Sequence, residues 1–96
     1  MKILALEKPV PNATSEQCGP HLRSEALRVW ELYQEGVIRE TYFREDRSEA
    51  VLILECKDVG DAWAVLNTLP LVHQGLIAFE LIPLAAYPGF GRLFGR

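Results

Sequence analysis

The four residues Val51-Leu52-Ile53-Leu54 have no polar alternate, so a strand built from them is apolar on both faces and has to be covered on both. A chain of 96 residues is one domain, and one domain has few layers to offer. The surrounding pattern supplies the first layer. Residues 2 to 7 form a short apolar strand, followed by the Pro/Asn/Ser loop KPVPNATS. Ser15 or Thr14 caps a helix that ends at Gly36, with Gly19-Pro20 bending its first turn or delaying its start. Leu22, Ala26, Val29 and Tyr33 make the apolar stripe of that helix, flanked by Leu27 and Trp30; Arg23, Glu25, Arg28 and Glu31 read as its solvated face. Strands over about 37–44 and 50–56 are joined by the polar loop EDRSE. Asp58 caps a second helix, which presents Val59, Ala62, Trp63 and Leu66 on one face and ends at Pro70. A last strand covers about 76–84, and the tail YPGFGRLFGR has no regular period.

The order β-α-β-β-α-β predicts an α+β, ferredoxin-like sandwich: a four-stranded antiparallel sheet with helices on one face only. With Leu4, Leu6, Leu52 and Leu54 turned to the helices, Ile3, Ala5, Val51 and Ile53 remain on the bare face. That face measures about 400 Å², the size at which an apolar patch marks an interface. A second copy of the chain covers it most simply, so the expected partner is a homodimer joined through the open sheet face as an α/β barrel, with higher assembly left open. The domain is expected over 1–88, with 89–96 a tail whose Phe90, Leu93 and Phe94 pack on a partner or on the rim.

In that dimer the barrel lumen is the expected small-molecule site, apolar at the centre and polar at its rims. If Arg44 stands opposite Ala50, Arg39 and Thr41 face the lumen; a slip of one residue puts Glu40 and Tyr42 there instead. Glu80, between Phe79 and Leu81, is a candidate base or a salt-bridge partner of Arg39. His21 is a candidate proton shuttle or an exposed helix-start histidine. Tyr42, Phe43 and Trp30 line a pocket or fill the core.

The stretches ELYQEGVIRETYFRE, KDVGDAWAVLNTLPL and ELIPLAAYP, within a similarity spanning about 1–88, resemble the muconolactone isomerase-like family of dimeric α/β barrels. The resemblance implies a proton moved along an unsaturated lactone with no cofactor and no metal. It makes Glu80 or Glu40 the base, His21 the shuttle and Arg39 the group that holds an anion, with Tyr42 and Phe43 against the ligand. The chain departs from the family at Glu40, where the isomerases carry histidine, and in the added VHQG. The alternatives are a non-catalytic binding or structural barrel and a cofactor-less monooxygenase-like barrel.

Net charge is −3, which argues against a nucleic-acid partner. Cys18 and Cys56 lack metal or redox spacing and read as buried thiols. GFGRLFG has no following helix and is no phosphate loop. No apolar run is long enough for a membrane span, and the expected location is the cytoplasm.

Overall fold

The computed structural model describes residues 1–95. Strand β1 (Lys2–Pro9) leads to a short helix α1 (Ser15–Cys18), one 3-10 turn (Gly19–His21) and the main helix α2 (Leu22–Gln34). Strands β2 (Ile38–Phe43) and β3 (Ala50–Glu55) follow, then α3 (Val59–Leu66), α4 (Pro70–His73), β4 (Ile77–Pro83) and a 3-10 segment (Pro88–Phe94). The sheet is antiparallel in the order β2-β3-β1-β4. This is the α+β ferredoxin-like arrangement, with β1 and β3 central.

Local chemistry explains the boundaries. Thr14 and Gln17 form a reciprocal capping box at α1, with the Gln17 N–H donating to Thr14 Oγ1 at 3.2 Å and the Thr14 N–H to Gln17 Oε1 at 2.8 Å. Gly19-Pro20 breaks the first helix into three pieces, as Pro at the start of a new turn does. Gly36, at φ +80°, takes the left-handed turn into β2 that a side chain would resist. Asp58 caps α3 through the Asp61 N–H at 2.7 Å. Pro70 does not end that helix; α3 stops at Leu66, and Pro70 opens α4, where its missing N–H costs nothing. The tail also differs from expectation. It is wound as 3-10 helix, with Tyr87 edge-on to Phe90 at 5.1 Å between ring centroids.

The register reverses the expected facing of β1. Ile3 stands opposite Leu54 and Ala5 opposite Leu52, and all four are buried under the helices. Leu4 and Leu6 therefore face the bare side with Val51 and Ile53. Both alternates of β1 are apolar, so its pattern carries no phase. The bulky Leu52 and Leu54 of β3 fill the core layer, and small Ala5 suffices opposite Leu52.

In β2 the facing is set by an irregularity. Ile38 pairs with Leu54, but Glu40 pairs with Ile53, and Arg39 is left between them. A bulge of this kind changes the alternation of a strand. Ile38 is buried on the helix side, whereas Glu40 and Tyr42 emerge on the bare side and Thr41 and Phe43 on the helix side. Phe43, not Arg44, stands opposite Ala50. Of the two registers left open by the sequence, the one with Glu40 and Tyr42 on the open face is found.

Candidate functional site

Helix α2 buries only Leu32 completely. Its predicted core stripe of Leu22, Ala26, Val29 and Tyr33 instead lines a cleft of about 470 Å³ between α2 and the sheet. The floor comes from Leu52 of β3, Phe79 of β4 and Leu71 of α4. Trp30 and Tyr33 stack at the wall, with ring centroids 5.9 Å apart and planes at 27°. Phe43 reaches the cleft from β2, 72% exposed, because the bulge at Arg39 turns it to this side.

Two carboxylates interrupt this apolar lining, Glu7 and Glu25. Glu7 follows Ile3 and Ala5 on the inward alternate of β1, and one of its oxygens accepts the Ala50 N–H at 2.9 Å. Glu25 lies one turn past Leu22 and accepts the Leu71 N–H at 2.9 Å, in the first turn of α4. Among the described residues, Oε2 of neither glutamate accepts a hydrogen bond, and no buried side-chain oxygen or nitrogen lacks a partner. The free oxygens therefore meet open space. Burial raises both carboxyls above the ordinary glutamate value of 4.5, against the lowering effect of each backbone bond. The charge of Glu49 adds to the rise at Glu7, and that of Glu7 to the rise at Glu25. Among the described residues, no Lys, Arg or His lines the cleft. Two arginines of the adjoining loop are engaged with acids: Arg44 with Asp46 at 2.7 Å, and Arg47 with Glu49 at 3.1 Å.

The residues singled out in the sequence are scattered. Phe43 and Trp30 line the cleft. His21 is half-buried at the start of α2, one residue before the cleft-lining Leu22. Arg39 is exposed, and its Nε–H donates to the Gly36 carbonyl. Glu40, Tyr42 and Glu80 lie on the open face. Tyr42 donates its hydroxyl proton to Glu40 at 2.6 Å, which raises the tyrosine pKa. Register rows run from Tyr42 through Val51 and Leu6 to Glu80, so Tyr42 and Glu80 sit on opposite edges, about 14 Å apart. Glu40 is on the Tyr42 edge, so the two proposed bases do not meet within one chain. The surface around them has an apolar centre of Leu4, Leu6, Val51, Ile53 and Ile82, all half-buried.

The sequence pattern singles out neither Glu7 nor Glu25. Glu25 reads as part of the solvated face, although it is spaced i+3 from Leu22 and i−4 from Val29, inside the apolar stripe. Glu7 is hidden by the reversed phase of β1. Cys56 is buried, and burial pushes its thiol pKa up; Cys18 is half-buried. Among the described residues no helix is long and apolar enough to cross a membrane.

No protein-family model matches the chain, and no curated protein does. Among solved structures, the chain is similar to muconolactone isomerase. The TM-score is 0.73 at 18% identity over 92% of each chain. The likeness extends over nearly the whole of both proteins, and the chain has a muconolactone isomerase-like fold.

Proposed function

We propose that the protein binds a small unsaturated ring compound in the cleft beneath α2 and moves a proton on it without a cofactor. The observation that carries this reading is an apolar helix stripe left unsealed against the sheet, with two desolvated carboxylates facing the gap. A carboxyl with a raised pKa accepts and returns protons closer to neutrality than an exposed one does. Glu7 and Glu25 approach from different elements, so one can take a proton while the other returns it. This reading moves the acid–base roles away from Glu80, Glu40 and His21 and the anion-holding role away from Arg39. The working unit is a homodimer closed through the open sheet faces, with the tail residues Phe90, Leu93 and Phe94 covered by the second copy.

The test is solvent exchange. Unsaturated lactones and related ring compounds are incubated with the protein in heavy water, and deuterium entering the ring carbons is followed by proton NMR. Glu7→Gln and Glu25→Gln should each slow the exchange by about 10²–10⁴-fold, the scale of one general acid or base. Exchange by the double variant at the wild-type rate would rule out these roles.

A second reading, a binding barrel without catalysis, is favoured by the backbone bond that each glutamate already makes. It predicts ligand binding with no exchange in any variant.

A further inference from the structure

The charge of the cleft is one-sided. Two carboxylates belong to the lining of an apolar space with, among the described residues, no cation in that lining, and each has one oxygen that accepts no hydrogen bond from a described residue. Trp30 and Tyr33 add two aromatic faces at the wall. We infer that the ligand of this cleft is an apolar ring compound bearing a protonated amine, and that carboxylate-bearing compounds are rejected. This rests on the reading of the cleft as the ligand site and specifies what enters it.

The physical argument is complementarity. An ammonium group donates hydrogen bonds and accepts none, which matches a pair of oxygens that only accept when ionised. It offsets the desolvation that disfavours two negative charges in this setting. Its apolar body replaces water against Val29, Leu52 and Phe79, and an aromatic wall attracts a cation where it attracts no anion. A ligand carboxylate would add a third negative group with no donor side chain of opposite charge to meet it. One glutamate then pairs with the ammonium, and the other stays available for proton transfer. The specificity differs from that expected of Arg39, which would have selected an anion but lies outside the cleft.

Three probes of one shape separate the possibilities: p-ethylbenzylamine, p-ethylbenzyl alcohol and p-ethylbenzoate, titrated calorimetrically into the full chain at neutral pH. The amine should bind at least about tenfold tighter than the alcohol, the scale of one charge-assisted hydrogen bond, and tighter still than the benzoate. In a Glu7→Gln, Glu25→Gln double variant the amine's advantage should fall to about twofold or less. If the alcohol or the benzoate equals the amine on the wild-type protein, the inference is overturned while the cleft remains a ligand site. If none of the three binds, the cleft itself fails as the site, and the inference falls with it. The wild-type series decides both points, so a variant that does not fold leaves the test intact.

Discussion

At Glu25 two demands meet on one carboxylate. Its backbone bond to Leu71 holds α4 against α2, and the same side chain lines an apolar cleft. Glu7 has the same division, with Ala50 as its structural partner. The linkage has a definite sign. Burial raises both pKa values, so below pH 4.5 the carboxyls are protonated in the folded and unfolded chains alike, and neither weakens the fold. As pH rises from there through the folded-state values, the unfolded chain ionises first and stability is lost. Urea unfolding across this range should show the Glu7→Gln, Glu25→Gln protein gaining on the wild type as pH increases. A stability difference independent of pH would mean that the two carboxyls are not desolvated as described.

Among the elements, β2 shows how one residue redistributes a whole strand. The sequence displays the strand itself, since Gly36 and the EDRSE loop bound it on either side. Its facing was not legible, because a bulge leaves no mark in a run such as IRETYF, where both alternates mix polar and apolar side chains. Only the pairing of Ile38 with Leu54, beneath α2, decides that Arg39 is the extra residue. Deleting Arg39 removes the extra residue and restores simple alternation with the facing unchanged: Ile38 inside, Glu40 and Tyr42 on the open face, Thr41 and Phe43 at the cleft. We expect a stability change of no more than about 1 kcal/mol, read from the urea midpoint at an unchanged m-value. A loss above about 3 kcal/mol would mean that Arg39 is a paired residue whose removal turns Glu40 and Tyr42 inward. Helix α2 gives the complementary case. Its stripe was readable at helical spacing, but the spacing says which face is apolar and not whether a neighbouring layer comes close enough to seal it.

For the whole molecule, the surface is large for its mass. A compact monomer of 10.8 kDa exposes about 5,500 Å², whereas this chain exposes 6763 Å². Its radius of gyration is 15.6 Å, against about 12.5 Å for a compact domain of this length. The excess has two visible sources: the open sheet face around Val51 and Ile53, and a tail whose Phe90, Leu93 and Phe94 are 65–77% exposed. The proposed dimer covers both. Sedimentation at micromolar concentration should give twice the chain mass, and Ile53→Glu should shift it to the monomer, since a buried unpaired charge at the centre of the interface is costly. A wild-type chain that sediments as a monomer would remove the dimer and the chamber between its sheets.

The strand and helix order, the breaks at Gly19-Pro20 and Gly36, and the presence of an uncovered apolar sheet face all follow from the sequence, because they depend on local spacing and on how many layers a short chain can supply. The location of the cleft does not. It depends on how far α2 stands from the sheet, on which alternate of β1 turns inward, and on one bulge in β2. Each of these is settled by side chains distant in sequence competing for the same space, so Glu7 and Glu25, unremarkable where they stand in the chain, acquire their chemistry only when the layers close around them.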